Sequence, residues 1–181
     1  MARYYNFGGG CIAGHCRVQT ADGNTKTVRS LLKGDRVVGE DGNSYPIRCV
    51  LRTKVNATIE MVHFPSGLVI TPYHPVKING KWKFPTDIGQ TLKSFVGEYF
   101  NFVLEDGHSM IVEGMECITL GHGLKNDVVA SHDYLGTSAI IEDLKLMEGW
   151  SNGSVEVGGF QRHPTSLRIT KLLQSAPQAA E

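Results

Sequence analysis

Gly8-Gly9-Gly10-Cys11-Ile12-Ala13-Gly14-His15-Cys16-Arg17-Val18 is the stretch from which the rest of the chain is read. A glycine run, free of side-chain bulk and open to conformations closed to other residues, ends abruptly at a cysteine. Polar–apolar alternation, the mark of a half-buried strand, occupies 16–21. Asp22-Gly23 then supplies a hairpin signal. Alone, the stretch fits a linker followed by a buried thiol. It also sets a thiol beside the Gly10 carbonyl, which makes the Gly10–Cys11 peptide bond a candidate site of chemistry.

Working outward, short strands recur at short intervals. Val28, Leu31 and Leu32 are spaced as one helical turn over 27–32, stopped by Gly34. Strands are expected over 45–55, 58–64 and 68–72, the last two around Pro65-Ser66-Gly67. Asn79-Gly80 joins 76–78 to 82–84 as a hairpin. Further strands at 99–104, 110–112 and 116–120 follow. Beyond Gly123 the period changes. Ile140, Ile141, Leu144 and Met147 share one face of a helix over 138–148, capped by Thr137 or Ser138 and ended by Gly149. Weaker strands at 155–157 and 167–173 precede a small polar tail, 175–181, expected to fray. The pattern predicts an all-β domain with a helix-containing C-terminal extension.

Composition narrows the function. At 181 residues and 41% apolar content the chain can bury one core, so one domain with a small appendage is expected. Eighteen basic residues balance eighteen acidic ones, which argues against a nucleic-acid or membrane surface as partner. No apolar run approaches the roughly 20 residues of a membrane span, and no signal-peptide core precedes Gly8. Cys11, Cys16, Cys49 and Cys117 are too few and scattered for a disulfide scaffold and read as reduced thiols. Cys11, His15 and Cys16 are zinc-compatible residue types, but their spacing matches no closed structural site, so no metal or cofactor is expected. A monomer is expected.

Three elements could serve chemistry at Gly10–Cys11. One is Cys11 itself. The second is Thr71-Pro72-Tyr73-His74, at the end of the apolar run Leu68-Val69-Ile70; the proline bends the exit, so hydroxyl and imidazole can converge. The third is the pair His108 and His122, each beside a glycine. Breaking a peptide bond with an adjacent thiol needs a base for the thiol proton, donors for the oxyanion and an acid for the leaving nitrogen. Histidine can serve as both base and acid near neutrality.

Cys11-Ile12-x-Gly14, Val18, Asp22-Gly23 and Gly34-Asp35-Arg36-Val37 resemble the opening block of Hint domains, the module shared by inteins and Hedgehog autoprocessing domains. Thr71-Pro72-Tyr73-His74-Pro75 is similar to their Thr-x-x-His block; Phe100-Asn101-Phe102-Val103, His108, Gly114 and His122 are similar to their closing blocks. Within that superfamily, Trp82-Lys83-Phe84-Pro85, Tyr99-Phe100-Asn101-Phe102 and Thr119-Leu120-Gly121-His122-Gly123 look most like the Vint branch. The resemblance implies a Hint fold, with a flank at 1–10, a core at 11–123 and an extension at 124–174.

It also implies an N-to-S acyl shift. Cys11 would attack the Gly10 carbonyl, His74 would protonate the departing nitrogen, and Thr71 would help hold the strained carbonyl region. The backbone near Thr71 or Pro72 would complete an oxyanion hole. His108 would orient the thiol, and His122 would be catalytic or merely close the fold. The substrate would be the chain's own N-terminal flank; water or an external amine or thiol would open the thioester.

Departures from the family pattern shape this expectation. Splicing inteins end in His-Asn, whereas His122 precedes Gly123, so asparagine cyclisation is not expected. The usual closing-block aspartate is Asn101, which cannot act as a base. Val50-Leu51-Arg52-Thr53 lacks the aspartate that activates sterol in Hedgehog domains. The alternatives are a degenerate Hint domain serving as an interaction module, and a residual splicing element.

Overall fold

The computed structural model describes residues 10–175, so the flank before Gly10 and all but Ser175 of the expected frayed tail lie outside the described residues. Strands dominate the rest. They are β1 (Ile12–Ala13), β2 (Arg17–Gln19), β3 (Thr25–Thr27), β4 (Arg36–Val38), β5 (Ser44–His63), β6 (Val69–Ile70) and β7 (Val76–Ile78). After these come β8 (Lys81–Lys83), β9 (Gln90–Leu104), β10 (Ser109–Val112), β11 (Met115–Ile118), β12 (Ser154–Arg162) and β13 (Ile169–Gln174). A 3-10 turn covers Val28–Ser30, a single helical turn Pro85–Ile88, and one longer helix Ser138–Lys145.

The class is all-β, as the turn-punctuated pattern predicts. β2 shows why: Val18 is buried while Arg17 and Gln19 face out, the alternation a sheet with one wet face requires. Asn79 and Gly80 both take positive φ, 51° and 76°, which suits the tight turn joining β7 to β8.

Two long strands form the spine. The residues read as separate strands at 45–55 and 58–64 are one strand, β5. Its register against β9 shifts between Lys54 and Ala57, around Asn56 at φ 46°. This bulge bends the strand without ending it. β9 starts at Gln90, well before the strand read at 99–104, because it pairs with β5 as far as His63. Backbone pairing, not side-chain alternation, makes that half a strand, and Phe95 there is 71% exposed.

β1 lies between β6 and β9, and β6 pairs in turn with β5. The second sheet runs β3-β2-β10-β11-β7-β8. Between them sits the first core, with Ile12, Met61, Ile70, Phe100, Phe102 and Met110 fully buried. Placing such side chains away from water stabilises by roughly 1.5–3 kcal/mol each.

The extension packs on the outside of this unit. β12 pairs parallel with β5, Ser154 opposite Val50, and β13 pairs with β12. Ile140 and Leu144 of the helix join Leu51, Leu135, Val155 and Leu172 in a second core. Thr137 caps the helix, its Oγ1 accepting the Ala139 N–H at 3.3 Å. The helix stops at Lys145, three residues earlier than its apolar period suggests. Leu146 and Met147 close it with short-range bonds to Asp143 and Leu144, and Gly149 then turns the chain at φ 91°.

Candidate active site

Strand register builds the site. Ile12 pairs in antiparallel fashion with Ile70 of β6 and with Phe100 of β9. Partners in such ladders step in opposite directions. One residue back from Ile12, Cys11 therefore falls between Thr71 and Asn101. The pairing that makes β1 a strand also brings two side chains to the Gly10–Cys11 peptide.

Both ends of that peptide are held. The Cys11 N–H donates to Thr71 Oγ1 at 2.8 Å. Asn101 Nδ2 donates to the Gly10 carbonyl. The Phe102 N–H donates to Asn101 Oδ1 at 2.8 Å. A backbone N–H can only donate, so this bond fixes which end of the amide faces Gly10. The Thr71 N–H is spent on the Cys11 carbonyl at 2.9 Å, and Pro72 has no N–H. Neither the Thr71 N–H nor Pro72 is therefore free to donate to the Gly10 carbonyl, and the donor found there is a side chain.

His74 closes the third side. It follows the bend at Pro72, is 1% exposed, and Nε2 lies 2.8 Å from the Ile118 carbonyl. A carbonyl only accepts, so Nε2 carries the proton and Nδ1 is bare. Among the described residues Nδ1 has no hydrogen-bond partner. It lies against Gly10, whose backbone favours a proton on the ring without being aligned to bond it. Burial dominates and lowers the pKa to about 4, so the ring is neutral near pH 7. A Cβ on Gly10 would collide with His74 Cβ, Cγ and Nδ1, so close approach demands the glycine.

Cys11 is 6% exposed, and desolvation pushes its thiol far above the ordinary range. Cys11 therefore rests as a thiol. Cys16 and Cys49 are raised to about 11 by the same cause, and Cys117 is raised too. All four are buried and free; Cys16 Sγ instead accepts the Val69 N–H at 3.3 Å.

The other two predicted histidines have partners of their own. His108, partly exposed, stands edge-on to Trp82, with Nε2 3.8 Å from Glu116. Both partners belong to the second sheet. His122 is buried and its Nδ1 accepts the Leu124 N–H at 2.9 Å. Its ring abuts Gly136, where a Cβ would approach Nε2 to 2.6 Å. The Gly121 and Gly123 N–H groups bond Leu135 and Gly136, so His122 closes the junction between core and extension.

Asn101 is the site residue that sequence reasoning passed over. It was weighed only as a failed base; the Cys11–Asn101 register, available only from the sheet, reveals a donor. Ligand atoms of Glu40, His108 and Glu116 lie within 4.8 Å of one another, the one such cluster among the described residues. Lys77 Nζ, 2.9 Å from Glu40, and Ser109 Oγ, 2.6 Å from Glu116, already satisfy those carboxylates. The cluster does not include Cys11, His15 or Cys16.

Comparison with known proteins places this geometry. A crystal structure of a Ssp DnaB mini-intein variant aligns at TM-score 0.51 and 14% identity, covering 61% of this chain and 95% of the intein. A further mutant of that variant gives TM-score 0.51 and 11% identity, covering 61% and 98%. The DnaB intein from Synechocystis sp. PCC 6803 gives 0.49 and 15%, covering 61% and 98%. At such identities the likeness is one of fold: an intein-like unit makes up about three fifths of the chain. No curated protein matches the sequence. The profile of the Vint family, described as a Hint domain, matches residues 10–171, from the glycine of the held peptide almost to the end of the extension. With the register around Cys11 and the shared fold, that span makes the chain a member of the Vint family of Hint domains.

Proposed function

We propose that this Hint domain cleaves its own chain at Gly10–Cys11 by an N-to-S acyl shift, without splicing. The observation that carries the reading is the grip on one peptide: Thr71 on its N–H, Asn101 on its C=O, and the bare Nδ1 of His74 against Gly10.

Each group has a step. The Cys11 sulfur attacks the Gly10 carbonyl carbon while its proton passes to His74, neutral and able to accept it. Transfer accompanies attack, because the buried thiol does not ionise beforehand. Negative charge developing on the Gly10 oxygen meets Asn101 Nδ2, a type of donor worth roughly 3–4 kcal/mol. The carbon–nitrogen bond then breaks, and imidazolium returns the proton to the Cys11 nitrogen. Thr71 Oγ1 holds that nitrogen in place throughout. The products are a Gly10 thioester on Cys11 Sγ and a free Cys11 amine. Water, or a small amine or thiol, then takes the acyl group. In this scheme His122 holds the junction between core and extension, and His108 has no part.

Fresh protein incubated with hydroxylamine or dithiothreitol should lose residues 1–10, read by mass spectrometry, while Cys11→Ala should stay whole. Intact wild-type chain under the same treatment would sink the proposal and leave an interaction module. Joined flanking segments would instead reveal splicing.

A further inference from the structure

We propose that Phe160 determines the specificity of the Gly10–Cys11 site: it closes the mouth of a cavity over the scissile carbonyl and favours small nucleophiles over larger ones at the thioester. The inference rests on the thioester reading above and says which co-reactant completes it.

The cavity lies between the core and the extension. Gly10, Cys11 and Asn101 form its floor; Leu135, Ile140, Val157 and Leu172, all buried, come from the extension. Its free space is about 10 Å³, the lower limit for a single water. No thiol reagent fits such a space without displacing a wall. Of the lining residues only Thr53 and Phe160 are half-buried and reach solvent; the others are buried. Entry from outside therefore passes Phe160, the one large side chain at the rim.

The strand carrying Phe160 is built to re-aim it. Phe160 pairs with Leu172 across β12–β13, and just before it the register slips between Val157 and Gly159. Gly159, at φ 152°, follows Gly158 at that slip. A bulge of this kind turns a side chain and weakens the local ladder. Leu51, Leu135, Ile140, Val157 and Leu172 belong to the buried second core, whereas Phe160 packs against its edge and is only half-buried.

The chemistry is balanced by the nucleophile alone. An amine nitrogen or thiol sulfur attacks the thioester carbonyl, the bond to Cys11 Sγ breaks, and the sulfur takes the nucleophile's proton. Hydroxylamine leaves a hydroxamate on Gly10; dithiothreitol leaves a new thioester.

The test is the ratio of second-order cleavage rate constants, hydroxylamine over dithiothreitol, on the full chain at sub-saturating reagent. An unstructured peptide thioester ending in glycine supplies the intrinsic ratio. The wild-type ratio should exceed the peptide's by roughly tenfold or more, the discrimination typical of a steric pocket. Phe160→Ala should bring it toward the peptide value, and Phe160→Trp should raise it. Mere loosening of the extension would speed both reagents alike and leave the ratio unmoved. A wild-type ratio equal to the peptide's, or variants that leave it unchanged while cleavage proceeds, overturns the inference and spares the acyl shift. No cleavage of any form by either reagent overturns both.

Discussion

Asn101 shows how one side chain can carry two separable duties. Its Oδ1 accepts the Phe102 N–H at 2.8 Å, a duty to the fold; its Nδ2 donates to the Gly10 carbonyl, a bond the proposed reaction would use. Asn101→Ala removes both. It should slow hydroxylamine-induced cleavage by about 10²–10³-fold, the usual cost of losing an oxyanion donor. It should also destabilise by about 1–3 kcal/mol, because the Phe102 N–H is left buried without an acceptor. Asn101→Asp keeps an acceptor for Phe102, but an ionised carboxylate has no donor for Gly10 and is buried without a cation. It should therefore destabilise the fold, and its cleavage should recover only as the carboxyl takes up a proton and regains an O–H to donate. Cleavage at the wild-type rate in Asn101→Ala, timed by mass spectrometry, would remove Asn101 from the mechanism.

At the scale of elements, the extension is held together by hydrogen bonds as well as by apolar packing. The Leu172 N–H of β13 donates to the Tyr134 hydroxyl at 2.8 Å, and that hydroxyl donates to Asp143 of the helix at 2.7 Å. One phenol thus ties the link after the core, the helix and the last strand. Tyr134→Phe keeps the ring and strands a buried N–H, so stability should drop by about 1–3 kcal/mol in a denaturant titration. An unchanged midpoint would mean that the tie carries no net energy. These elements were unevenly legible beforehand. The helix face at Ile140 and Leu144 is readable because its period repeats; the outer half of β9 is not, because an exposed, largely polar run there hides a ladder made by backbone groups.

The whole molecule answers to pH through three buried histidines. Burial lowers His74 to about 4, His122 to about 4 and His132 to about 3, from an ordinary value of 6.5. Above the ordinary value both folded and unfolded chains hold these rings neutral, and pH has no effect through them. Below it the unfolded chain takes up protons that the folded chain refuses, so stability falls as pH drops toward the folded values. Each ring contributes up to about 1.4 kcal/mol per pH unit across that window. Unfolding free energies measured between about pH 7 and about pH 4.5 should decline steeply. A flat profile would show that water or a partner group reaches these rings in the folded chain.

The sequence by itself determined the local vocabulary: the hairpin at Asn79-Gly80, the helix period, the Cys11 and Thr71-to-His74 motifs, and a balanced charge composition. These are readable because turn chemistry and side-chain period act between neighbours in the chain. Only the tertiary structure decided that Asn101, ninety residues from Cys11, grips the Gly10 carbonyl, and that side chains of the extension line the space over that peptide. Strand register and packing between distant segments settle such matters. No local window of sequence contains them.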